Sequence, residues 1–124
     1  MALEDIKNEA DIKLMVDSFY DKVNQDEVLG SVFNDFARVD WDKHLPIMYR
    51  FWNTLLLYTQ EYKGSPFDKH IPLPISAAHF ERWVSLFHQN MDELFEGEIA
   101  NQAKQRATAI AYTFRVKLEQ IKQA

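Results

Sequence analysis

Residues 41–52 read Trp41-Asp42-Lys43-His44-Leu45-Pro46-Ile47-Met48-Tyr49-Arg50-Phe51-Trp52. Trp41, His44/Leu45, Met48, Phe51/Trp52 and, just beyond, Leu55/Leu56 recur at helical spacing, so they line one side of an α-helix. Pro46 has no N–H and crowds the carbonyl one turn back. The regular helix is therefore expected to start near residue 43, or to be distorted there. The polar segment Gln60-Glu61-Tyr62-Lys63-Gly64 is expected to end it.

The same period extends in both directions. Upstream, Asn8 can cap a helix whose apolar stripe is Ile12, Met15/Val16, Phe19/Tyr20 and Val23. Asp26 can cap a short helix carrying Val28, Leu29, Val32 and Phe33, followed by a polar stretch over residues 34–40. Downstream, Ser65-Pro66 reads as an N-cap with proline at the first helical position. That helix is about one turn, residues 66–70, because Pro72 and Pro74 push Ile71 and Leu73 into extended conformations. Ser76 caps the next helix, with Phe80, Trp83/Val84, Phe87, Met91 and Leu94/Phe95 as its stripe and Gly97 at its end. A last helix carries Ile99, Ala103, Ala107, Ile110, Phe114, Leu118 and Ile121. No strand is predicted, so the fold class is all-α.

Composition sets the outer bounds. The 124 residues make one domain, residues 1–124. Apolar types are 47% and charged types 27%, which is globular rather than disordered. The net charge of −5 with no basic run argues against nucleic-acid binding. The absence of cysteine excludes disulfides, Cys-ligated zinc, iron–sulfur clusters and a thiol nucleophile. Apolar stretches as short as Leu55-Leu56-Leu57 leave no membrane span, and the acidic start Met1-Ala2-Leu3-Glu4-Asp5 is no secretory signal. The expectation is a soluble, cytoplasmic protein. Aromatics reach 14%, more ring area than a small bundle needs, which suits a pocket for something flat and apolar as well as a ring-rich core.

Four histidines, His44, His70, His79 and His88, are the candidate ligands for a transition metal. H-E-x-x-H and Glu-x-x-His are absent, as are G-x-S-x-G, phosphate loops and dinucleotide fingerprints. A protein-built metal cage or a nucleophilic enzyme is therefore disfavoured. A cofactor that brings four ligands of its own needs one from the protein, and haem is that case. His44 and His70 lie in different elements, as opposite sides of a haem slot require. A lone helical histidine is otherwise an ordinary hydrogen-bonded side chain, and Tyr20 and Trp83 are otherwise core rings.

The chain resembles the group III truncated haemoglobins of bacteria. The resemblance rests on Phe19-Tyr20, on Val32-Phe33-Asn34, and on residues 41–48 running into Phe51-Trp52. It continues with Lys69-His70-Ile71-Pro72-Leu73 and His79-Phe80-Glu81-Arg82-Trp83. The ordered set H-x-P-x-M-x-x-F-W, K-H-x-x-L, H-F-x-R-W spans nearly the whole chain. The Gly-Gly pairs of groups I and II are missing.

The resemblance implies a truncated globin-like helical sandwich around one haem b (iron protoporphyrin IX), with a short proximal helix. It makes His70 the proximal iron ligand and Tyr20 and Trp83 the polar groups over the bound ligand. His44 becomes the distal histidine, often a gate, and Phe33, Met48, Phe51 and Trp52 wall the pocket. His79, the rival of His70 on the residues alone, becomes a helix-terminus residue. His88 is expected to face solvent. Lys43, Arg50, Lys69 and Arg82 are candidates for the haem propionates. The chemistry agrees: O₂ on a ferrous centre becomes electron-rich and takes donors, whereas CO gains little charge. Tyr O–H donates, and a Trp N–H can do nothing else.

The function this implies is reversible binding or carriage of O₂ or another diatomic gas. The enzymatic alternative is haem redox turnover, peroxidase-like or detoxifying nitric oxide, which needs a reductase partner or peroxide. A haem-free interaction domain is the third class, distinguished by the absence of a Soret band.

Overall fold

The computed structural model describes residues 3–58 and 75–123. His70, the one-turn helix 66–70, the extended 71–74 and the segment 60–64 lie outside the described residues. Those described are all-helical: α1 (Glu9–Gln25), α2 (Glu27–Ser31), a π-helical turn (Val32–Phe36), α3 (Trp41–Leu57), α4 (Ala77–Leu94) and α5 (Glu98–Gln123). Among them no helix is long and apolar enough to cross a membrane.

Local chemistry sets the first boundaries. Asn8 Oδ1 accepts the Asp11 N–H at 3.0 Å, giving one of the four unpaired N–H groups of a helix start a partner. The stripe of α1 is buried as its spacing predicts: Ile12, Met15, Val16, Phe19, Tyr20 and Val23. Asp26 closes α1 and caps α2, its carboxylate accepting the Val28 and Leu29 N–H groups at 3.0 Å each. Val28, expected on the inner stripe, is 43% exposed, and Leu29 and Gly30 are the buried residues of α2. Gly30 presses on the end of α1, where an added Cβ would lie 3.2 Å from the Asn24 carbonyl oxygen.

Two expectations for the next segment are corrected. Val32 and Phe33, expected in the short helix, and the first residues of the expected polar stretch 34–40 together form the π-helical turn Val32–Phe36, and the Ala37 N–H reaches back to the Val32 carbonyl at 2.9 Å. Then α3 starts at Trp41, ahead of residue 43, and carries Pro46 inside it. The proline's missing N–H leaves the carbonyl of Asp42 without its usual partner, and Asp42 is exposed, so water can serve instead. The same helix ends at Leu57, before the polar segment. Tyr58 adopts the left-handed conformation (φ 60°), and its N–H returns to the Asn53 carbonyl.

Packing builds outward from α1, which lies against α3 and α4, while α4 lies against α5. Phe19 and Phe87 are almost wholly buried where α1 meets α4. Each contributes roughly 2–3 kcal/mol by removal from water. The buried face of α5 is Ala100, Ala103, Ala107, Ala111 and Leu118, whereas Ile110 is half-buried and Ile121 is 44% exposed. Ala103, Ala107 and Leu118 of the expected stripe are buried, and Ala100 and Ala111 join them, because a line of alanines lets a neighbouring helix approach closely. Before α5, Gly97 holds φ 150°, and Asp5 accepts the Ile99 and Ala100 N–H groups at 2.9 and 2.8 Å. The N-terminal segment thus caps the last helix.

Candidate functional site: a ring cluster with two donors

Tyr20 on α1, Phe33 in the π-helical turn, and Trp41 and His44 on α3 form a closed cluster in which every ring meets every other. Tyr20 stands 5.3 Å from Trp41, 5.6 Å from His44 and 5.8 Å from Phe33, centroid to centroid. Phe33 stacks on Trp41 at 5.7 Å and lies 6.4 Å from His44, and Trp41 meets His44 edge-on at 5.6 Å. Trp41 and His44 are one turn apart, hence on one face of α3.

A second cluster adjoins the first through Phe19, which is 5.0 Å from Tyr20 and 5.4 Å from Trp83. Phe87 stacks on Trp83 at 5.7 Å and on Trp52 at 5.0 Å, and Phe51 meets Trp52 edge-on at 5.5 Å. Trp52 is buried in this cluster, while Phe33, Met48, Phe51 and Trp83 are half-buried on the flank of the core.

Within this apolar setting sit two donors. Burial pushes the Tyr20 hydroxyl far above its ordinary pKa, so it stays a neutral O–H at any physiological pH. Among the described residues neither that hydroxyl nor the Trp83 indole N–H makes a hydrogen bond. Two neutral donors thus lie beside one phenylalanine, each available to an acceptor placed there. Apolar rings with two neutral donors fit the ligand side of a haem pocket.

The described histidines divide by what their nitrogens do. His79 Nδ1 accepts the Ser76 backbone N–H at 3.0 Å and meets Ser76 Oγ at 3.1 Å, in a reciprocal cap at the start of α4. In the neutral ring the proton then sits on Nε2, which has no lone pair left for a metal. His88 is half-buried rather than turned to solvent. Thr108 gives its hydroxyl proton to the Lys104 carbonyl at 2.9 Å and takes the His88 Nε2–H at 2.9 Å, joining α4 to α5. His44 is the described histidine that lies in the ring cluster, with its Nε2 buried.

Of the candidate propionate cations, Arg82 is engaged elsewhere: its Nε donates to Asp26 Oδ2. Lys43 and Arg50 are exposed, and Lys69 lies outside the described residues.

Sequence reasoning gave no role to Asn34, Asn24 or Asn90. Trp41 Nε1 donates to Asn34 Oδ1 and Asn34 Nδ2 to Asn24 Oδ1, both at 2.9 Å. Asn90, fully buried, donates to the Met15 carbonyl at 2.9 Å and accepts from Lys22 Nζ at 3.0 Å. The signal for Asn90 was a polar residue beside Met91 on an otherwise apolar stripe.

Comparison with known proteins agrees with this geometry. The model of the family described as "Bacterial-like globin" matches residues 2–116. The Group 3 truncated hemoglobin ctb of Campylobacter jejuni is 35% identical over 119 residues, covering 93% of each chain. The Group 2 truncated hemoglobin YjbI of Bacillus subtilis is 30% identical over 88 residues, covering 68% of this chain and 66% of that one. A crystal structure of the group III truncated hemoglobin from Campylobacter jejuni superposes with a TM-score of 0.83 at 34% identity, covering 95% of each chain. With the helical fold, the ring clusters and the two donors in place, the chain belongs to the bacterial-like globins, and within them it is a haem globin of the group III truncated haemoglobins.

Proposed function

We propose that this globin reversibly binds O₂ or another diatomic gas at a haem b iron held by His70, in a pocket walled by Phe33, His44, Met48, Phe51 and Trp52. The observation that carries the reading is the pair of donors Tyr20 and Trp83, both beside Phe19 and without a hydrogen bond among the described residues. The haem, when bound, supplies the iron at which the gas coordinates. The chain supplies the rest. Tyr20 donates its O–H and Trp83 its N–H toward an electron-rich ligand, and the surrounding rings keep competing water away. His44 heads α3 beside exposed Asp42 and Lys43, which suits a side chain standing where the pocket meets solvent. The capping role of His79 and the interhelical role of His88 leave His70 as the best candidate for the axial position.

The test is a haem titration followed by absorbance. The parent is expected to show a Soret band and a ferrous spectrum typical of one axial histidine. His70→Gly should lose haem, or need added imidazole to regain that spectrum, while His79→Gly keeps it. The reverse pattern refutes the assignment of His70.

A further inference from the structure

Two residues of the resemblance, Asn34 and Trp41, have no part in the reading above, yet Trp41 packs against Tyr20 and His44 and is bonded to Asn34. The Trp41 indole touches both functional rings of the first cluster, Tyr20 at 5.3 Å and His44 at 5.6 Å, and its other face is stacked on Phe33. Its edge is fixed by polar chemistry. An indole N–H can only donate, so the Asn34 amide must present its oxygen to Trp41. The Asn34 NH₂ then points to Asn24, whose amide must present its oxygen in turn. Both bonds are 2.9 Å, and one orientation of each amide satisfies them.

The relay closes a ring of structure. Asn24 lies one helical turn after Tyr20 on α1, Asn34 lies one residue after Phe33, and Trp41 lies one turn before His44 on α3. The two exposed amides therefore join the three elements that carry the cluster. Since Trp41 flanks His44 on its own helix face, the imidazole cannot swing toward the start of α3 unless the indole shifts first. The indole is restrained by stacking on one side and by the relay at its edge.

We propose that Trp41, held by Asn34 and Asn24, is a positioning residue for His44 that restricts the imidazole and so slows ligand entry. This rests on the reading of His44 as the residue at the pocket mouth. Asn34→Ala removes the acceptor, and Trp41→Phe keeps a ring but removes the donor. Asn34→Asp keeps an acceptor for the indole.

The experiment measures CO association after flash photolysis of the ferrous holoprotein, in the parent and in a His44→Ala background. Two-dimensional ¹H–¹⁵N spectra of the CO complex follow the Trp41 indole N–H, assigned by its loss in Trp41→Phe. Asn34→Ala and Trp41→Phe should each speed association about fivefold or more when His44 is present and less than twofold when it is alanine. The indole N–H should exchange slowly in the parent and in Asn34→Asp and quickly in Asn34→Ala, and Asn34→Asp should stay near the parental rate. If His44→Ala speeds entry but Asn34→Ala and Trp41→Phe do not, the positioning role is wrong and the reading of His44 stands. If the two variants speed entry equally without His44, Trp41 acts by another route and the proposal also fails. If none of the three substitutions changes entry, the reading of His44 falls and the proposal falls with it.

Discussion

Asp26 and Arg82 tie the corner between α1 and α2 to the first turns of α4. The Asp26 side chain is 5% exposed and uses both oxygens, one on the Val28 and Leu29 N–H groups and one on Arg82 Nε. Arg82 precedes Trp83, so the corner that ends the Tyr20 helix is bonded next to the second donor. A carboxylate that accepts backbone N–H groups and a guanidinium at once belongs to the stronger class of hydrogen-bonded ions.

Asp26 is therefore expected to make stability depend on pH. Burial opposes its ionisation, but the Leu29 N–H and Arg82 outweigh it and hold the pKa below the ordinary aspartate value. A lowered native pKa stabilises the fold above the unfolded-state pKa, and that contribution is lost as pH falls through the native value. Asp26→Ala should cost about 2 kcal/mol in urea unfolding at neutral pH, with the gap from the parent narrowing below pH ~4. Arg82→Gln should cost less than about 1 kcal/mol, because Arg82 is half exposed and water replaces its pairing.

Tyr20→Phe keeps the ring and removes the donor. A hydrogen bond to a charge-bearing partner is worth roughly 1.5–3 kcal/mol, so O₂ release by stopped flow should quicken about ten- to a hundredfold. Trp83→Phe should act in the same direction, and the double variant should fall short of the product of the two effects if both donors meet one oxygen. Single variants within twofold of the parent would make both residues plain core.

Asn90 gives a stability test away from the pocket. It is fully buried and links α4 to the Met15 carbonyl of α1 and to Lys22. Asn90→Ala opens a cavity and removes both bonds, for an expected loss of about 2 kcal/mol, or a Tm lower by roughly 5–10 °C. Lys22 keeps Glu93 at 3.0 Å, so the loss should depend little on salt.

Gly97→Ala tests the cap of the last helix. At φ 150° an alanine is strained, and its Cβ would come within 2.6 Å of Asp5 Cβ. Asp5 cannot withdraw without releasing the Ile99 and Ala100 N–H groups. The variant should unfold about 2–3 kcal/mol more easily, with exchange at the first amides of α5 rising most. Unchanged protection there would mean that Asp5 is not what holds the helix start.

What the sequence by itself determined lies within one or two helical turns. The stripe of α1, the caps at Asn8, Asp26 and Ser76, and the all-α class follow from spacing and from side chains that reach their own backbone. The ordered motifs, a longer-range pattern, were enough to indicate the globin family. Tertiary structure decided the rest. Arg82 meets Asp26 56 residues away, Asn90 meets Met15 75 residues away, and Asp5 caps a helix 94 residues downstream. The burial of Ala100 and Ala111 on α5 and the bond from Trp41 to Asn34 belong to the same group. None has a local signature, because each depends on how close two helices lie and which polar edge they turn to each other. Side-chain periodicity marks which face is apolar. The distance at which that face packs, and the partner of each polar group on its border, are fixed only when the rings of α1, α3 and α4 interlock.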